Sequence, residues 1–114
     1  MKVLLDENID IRFRFAFANT AHQVITTEYM GWKGIENGEL LKLMSEQDSD
    51  VLIAADKSLP YQHNQDRLSV AIFILDVKRN VPASLQAFVP DLLSRLSQPI
   101  DKNVIILAEL TSMP

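Results

Sequence analysis

Two aspartates in this chain close apolar runs. Asp6 follows Val3-Leu4-Leu5, and Asp56 follows Val51-Leu52-Ile53-Ala54-Ala55. Such a run reads as a buried strand, and the carboxylate at its tip is delivered to the strand's carboxyl end, where open α/β sheets bind ligands. Glu39 stands one residue after Gly38, near the start of a helical pattern, and can lean over the same rim. Mg2+ and Mn2+ are hard cations that take oxygen ligands and keep several waters. Two or three carboxylates at one rim meet that demand. Two such ions ~3.5–4 Å apart activate water and stabilise the leaving oxygen of a phosphodiester. Asp6, Asp56 and Glu39 therefore point to metal-assisted hydrolysis.

Each of these residues also has a structural role open to it. Asp6 can cap the helix that follows it, and Asp56 can close the turn over Lys57-Ser58-Leu59-Pro60. A glutamate in a first helical turn is favoured by the helix dipole whatever the function. Asp76 ends another apolar run, but Lys78 and Arg79 follow and can pair with it. Glu7 should point away from Asp6, because successive strand side chains face opposite ways.

Alternating strands and helices must position these groups. Strands are expected over 2–5, 22–26, 50–55, 69–75 and 104–107. The segment 9–19 is ambiguous, since Ile9, Ile11, Phe13, Phe15 and Phe17 alternate like a strand while Ile9, Phe13, Ala16 and Phe17 share a helical face. A helix is the expectation, with Asn8 as its N-cap and Asn19 as its stop, because parallel strands need a crossover. Phe15 is then left half exposed or at an interface. The segment 28–34 reads as a loop around Gly31, Trp32 and Gly34, and Trp32 as cover for the edge of the core rather than a stacking platform. Asn37 caps a helix over 38–47 that buries Leu40, Leu41, Leu43 and Met44. A helix over 83–97 carries Leu85, Phe88, Val89, Leu92, Leu93 and Leu96, and Pro90 should kink or split it. The segment 57–67 reads as a polar loop.

This order predicts a three-layer α/β fold around a central, mostly parallel sheet of four to five strands. Right-handed crossovers would gather the strand C-termini on one rim. If strands one and three are neighbours, Asp6 and Asp56 face each other across the switch point.

The chain has 114 residues, of which 47% are hydrophobic, enough for one domain over 1–114 with a polar tail from about residue 108. Cysteine is absent, so packing alone must hold the fold. No apolar stretch approaches the ~18 residues of a membrane span. No leader-like segment stands out, and a cytoplasmic protein without membrane contact is expected. Eleven basic against fifteen acidic residues give a net charge of −4, which argues against a globally basic nucleic-acid binder. It leaves a nuclease open, because divalent ions reverse the local charge of an acidic site. Arg12 with Arg14, and Lys78 with Arg79, are local basic pairs that could meet phosphates or simply be solvated. His22 reads as a loop residue, and His63 lies in a polar stretch past Asp56. With three glycines there is no phosphate-cradling loop.

The opening Met1-Lys2-Val3-Leu4-Leu5-Asp6-Glu7-Asn8 is followed by His22-Gln23-Val24, by Gly31-Trp32-Lys33-Gly34 with Asn37-Gly38-Glu39-Leu40-Leu41, and by Ala55-Asp56-Lys57-Ser58-Leu59-Pro60-Tyr61-Gln62-His63-Asn64. In this order the segments resemble the small bacterial PIN-like proteins, over roughly residues 1–97. Many of these are regarded as toxins of toxin–antitoxin pairs. The resemblance implies a PIN-like fold and a ribonuclease site in which an acidic cluster binds Mg2+ or Mn2+. Carried onto this chain, the cluster is Asp6, Glu39 and Asp56. A further acidic residue is usual in the family, and Asp76 is the candidate for it. RNA as substrate, a cognate antitoxin as partner and a homodimer are further implications.

Two other readings compete. One is a PIN-like fold that has lost catalysis and acts by binding alone. The other is a phospho-acceptor domain similar to response-regulator receivers, with acidic residues ending strand one, Asp56 ending strand three and Pro60 four residues later. Against it, strand four ends at Leu75-Asp76 rather than at Ser or Thr, and Ala108-Glu109 stand where receivers carry Lys-Pro.

Overall fold

The computed structural model describes residues 1–35, 37–55, 70–77, 82–100 and 104–108. Their framework is a five-stranded sheet built from β1 (Lys2–Leu5), β2 (Gln23–Thr26), β3 (Val51–Ala54), β4 (Ala71–Asp76) and β5 (Val104–Ala108). The strand order is β2-β1-β3-β4-β5, and every neighbouring pair is parallel. Helices cover both faces, giving the three-layer α/β architecture expected from the sequence.

The apolar runs are continuous because both faces of the central strands are buried. Val3, Leu5, Val51, Ile53, Ala71, Phe73 and Leu75 enter one core. The intervening Leu4, Leu52, Ala54, Ile72 and Ile74 enter the other. The first core is closed by a 3₁₀ helix, Ile11–Phe17, and by α3 (Pro82–Leu85) and α4 (Val89–Leu96). The second is closed by α2 (Asn37–Glu46) through Leu40, Leu41 and Met44. Leu43 is only half-buried.

The segment after β1 resolves in favour of helical spacing. Ile9, Phe13 and Phe17 are buried, Ala16 packs against their core, and Ile11 and Phe15 face outward. The rings of Phe13 and Phe17 meet edge to face, with centroids 5.5 Å apart. The helix is a 3₁₀ helix, and its N-cap is Asp10 rather than Asn8. Asp10 wins because its carboxylate takes the Arg12 N–H at 2.9 Å and the Arg12 guanidinium as well. Asn19, just past the end, has a φ of 63°, the left-handed conformation asparagine tolerates at a helix stop.

The expected loop over 28–34 opens instead with a one-turn helix, α1 (Thr27–Met30). The Thr26 hydroxyl accepts the Tyr29 N–H at 3.1 Å, and Gly31, at φ 74°, ends the turn. Trp32 is half-buried against the second core, as expected of a residue at its edge. Farther along, Pro90 splits the long helix. It has no N–H to give Gln86, and a short 3₁₀ stretch, Gln86–Phe88, separates α3 from α4.

The expectation of uniformly right-handed crossovers also fails. The 3₁₀ helix and α3–α4 lie on the same face, yet the chain moves from β1 outward to β2 in one direction and from β4 to β5 in the other. The connection carrying α2 moves as β4 to β5 does, but over the opposite face. The β4–β5 crossover therefore has the opposite hand to the other two. Both hands are therefore present, so the crossovers are not uniformly of the right-handed kind that makes up about 98% of parallel connections. The strand C-termini still share one rim, because the sheet is parallel throughout. No helix among the described residues is long and apolar enough to cross a membrane.

Candidate functional site

The chain leaves β1 to one side and later returns to the other, so β1 and β3 flank the switch point of the sheet. Asp6 sits there. Its N–H donates to the Ile53 carbonyl at 2.9 Å, extending the β1–β3 ladder one residue past the strand. Its carbonyl accepts the Ile9 N–H at 2.9 Å and closes a tight turn. The residue is only 5% exposed. Strand alternation places its side chain on the side of Leu4, the layer of α2. A carboxylate this far from water needs hydrogen-bond donors or a cation to stay ionised. Asn8 supplies one donor, its Nδ2 lying 3.3 Å from Asp6 Oδ2. Asn8 thus serves the aspartate rather than the helix end.

Glu39 lies in the first turn of α2 and is exposed. The opposite end of α2 is tied to the amino ends of the strands, where Lys2 Nζ donates to the Gln47 carbonyl at 2.7 Å and Ser49 N–H to the Met44 carbonyl at 2.9 Å. The amino end of α2, with Glu39, accordingly faces the rim that carries Asp6. Asp76 ends β4 on that rim, half-buried, opposite Ala108. It falls on the same side of the sheet as Ile74, again the layer of α2. Asp56 lies outside the described residues, as do Lys78, Arg79 and His63. Among the described residues no three Asp, Glu, His or Cys side chains gather closely enough to hold a metal ion. Asp6, Glu39 and Asp76 share a rim without forming a ligand set by themselves.

Glu7 lies in the turn past β1, where strand alternation no longer applies, and has a task the sequence did not disclose. Its Oε2 accepts the Gly34 N–H at 2.9 Å, tying the segment ahead of α2 to the end of β1. Of the first basic pair, Arg12 is held in a fork by Asp10, at 2.6 and 3.0 Å. That guanidinium holds the Asp10 carboxyl down to about 2. Arg14 instead lies over the Phe15 ring, 5.0 Å from its centroid. His22 is half-buried, and its Nδ1 lies 3.1 Å from the amino group of Met1. Burial, and then the positive charge of that amino group, lower its pKa.

No family model, curated protein or solved structure matches the chain.

Proposed function

We propose that this protein is a metal-dependent ribonuclease of the PIN-like type, acting as the toxin of a toxin–antitoxin pair. The observation that carries the reading is the placement of Asp6: a buried carboxylate at the carboxyl end of β1, beside β3, at the switch point of a parallel sheet. Asp56, two residues past the last residue of the neighbouring β3 in sequence, is the second ligand in this reading. Glu39 and Asp76 complete the acidic set. The donors are all carboxylate oxygens, which suit Mg2+ or Mn2+. When bound, such an ion activates water and stabilises charge at phosphorus. The chain's own contribution is to fix Asp6 through its backbone bonds and its Asn8 contact, and to exclude water from one side of it.

The test is cleavage of a labelled RNA by the purified protein with Mn2+, Mg2+ or EDTA. Cleavage should need the metal and should vanish in Asp6→Asn and Asp56→Asn. RNA cleavage that persists unchanged in both variants would sink the assignment.

A second reading rests on the strand order, which receiver domains share with other sheets of the 2-1-3-4-5 type. It makes Asp56 a phospho-acceptor. Incubation with acetyl phosphate separates the two: a stable acyl phosphate on Asp56 supports the receiver, and an unmodified protein argues against it.

A further inference from the structure

Among the described residues β2 is an edge strand and pairs only with β1. Gln23 donates its N–H to the Met1 carbonyl, so the backbone groups of the next residue, Val24, point away from the sheet. Native edges are commonly blunted by charge, proline or a bulge. The strand Gln23-Val24-Ile25-Thr26 carries neither charge nor proline.

Beside this edge runs a shallow groove of about 210 Å³, lined by Arg14, Phe15, Phe17, Ala18, His22 and Val24. Val24 belongs to β2 and His22 immediately precedes that strand, while the others belong to the 3₁₀ helix and its end. Phe15 is 64% exposed and Ile11 45%, so the outer face of that helix is apolar. Among the three described arginines, Arg12 and Arg95 each hold a carboxylate, of Asp10 and Asp91. Arg14 holds none and rests on the Phe15 ring. His22 is biased to its neutral form, so the charge of the groove is that of Arg14. On a chain of net charge −4, this is a local cation set in an apolar surface.

We propose that this edge binds an extended, acidic segment of a partner protein, which adds a strand along β2. Main-chain bonds to Val24 supply register, alternate apolar side chains fill the groove, and a carboxylate meets Arg14. A second copy of this chain is the poorer occupant. Antiparallel pairing of β2 with β2 would bring Arg14 toward Arg14, a like-charge approach.

The test uses a fluorescein-labelled peptide of alternating valine and glutamate, and the same peptide with lysine for glutamate. Anisotropy should show the acidic peptide binding and the lysine peptide not. Affinity should fall by about tenfold or more in Arg14→Glu, the scale of a lost charge-assisted bond. It should fall also in Phe15→Ser. Both side chains are exposed, so the variants keep the fold. Exchange of the Val24 amide should slow in the complex. Absence of binding, equal binding of both peptides, or indifference to Arg14→Glu overturns the proposal. So does a wild-type dimer in sedimentation that Arg14→Glu dissociates, which makes the occupant a second copy. Displacement of the peptide by single-stranded RNA, with RNA binding lost in Arg14→Glu, overturns it in favour of nucleic acid.

Discussion

Glu7 Oε2 accepts the N–H of Gly34 at 2.9 Å, so the residue after Asp6 tethers the segment that leads into α2. Two neighbouring carboxylates thus divide the work at the end of β1. Asp6 turns inward at the switch point, and Glu7 fixes the approach of the helix that carries Glu39. The tether is a solvent-exposed hydrogen bond, so its worth to stability is modest, about 0.5–1.5 kcal/mol. Glu7→Ala should lower the urea midpoint only slightly while accelerating hydrogen exchange at Gly34. Unchanged exchange there would remove the tether from the account.

Gly31 and Gly34 have φ values of 74° and 85°, and a Cβ on either would meet nothing within 4 Å. Alanine at these positions is therefore costly through the backbone alone, by roughly 1–2 kcal/mol for each residue forced into the left-handed region. Urea unfolding of Gly31→Ala and Gly34→Ala should show similar losses. A loss well above this range at one site would mean a steric conflict that the structure does not contain.

Phe13 and Phe15 test the geometry of the first crossover. Phe13 is 2% exposed and packs against Phe17, whereas Phe15 is 64% exposed. Phe13→Ala should cost about 3–5 kcal/mol, the range for emptying a buried aromatic site. Phe15→Ala should change stability by no more than ~0.5 kcal/mol. Equal losses at the two sites would restore the strand-like alternation that the sequence also permits.

The sheet was legible because Val3-Leu4-Leu5 and Val51-Leu52-Ile53-Ala54 are short runs apolar on both faces, the pattern of a strand covered on both sides. Asp6 was legible for the same reason, as the polar residue that ends such a run. The cap at Asp10 was missed because Asn8, two residues earlier, has equal cap propensity. Only the contacts decided it: Arg12 reaches Asp10, while Asn8 turns to Asp6. The helix α1 was hidden behind glycines, although Thr26 three residues ahead of Tyr29 is a cap signal. The hand of the β4–β5 crossover could not be read from Leu85, Phe88, Leu92 and Leu96, since their spacing shows a buried helix face but not which side of the sheet it covers. Nor could Glu7 and Gly34 be paired, because 27 residues separate them and neither has a distinctive neighbour.

Asp10 and Arg12 give the acid end of the stability profile. The Arg12 side-chain bond, with its backbone N–H second, holds the Asp10 carboxyl at about 2, against 3.8 for a free aspartate. A carboxyl depressed in the folded state stabilises the fold above its unfolded pKa. That contribution should be complete above about pH 4 and should fade as the pH drops through about 2. Chemical-shift titration of Asp10 should show the low midpoint, and Arg12→Ala should return it toward 3.8. An unchanged midpoint in that variant would break the link.

His22 adds a separate step nearer neutrality. Its folded pKa lies below the ordinary 6.5, because burial and the neighbouring amino group of Met1 both disfavour the imidazolium. The unfolded chain therefore binds the proton more readily, and stability rises with pH across this range. The contribution is present above about pH 6.5 and is lost as the pH falls through the lowered folded value. The geometry gives the reason: neutral Nδ1, 3.1 Å from the Met1 ammonium, can accept a hydrogen bond, whereas the protonated ring presents a second cation to it. Unfolding midpoints measured from pH 8 down should decline first in this window, well before the step from Asp10. His22→Gln should flatten the first step and leave the second intact. A first step that survives His22→Gln would assign it to another group.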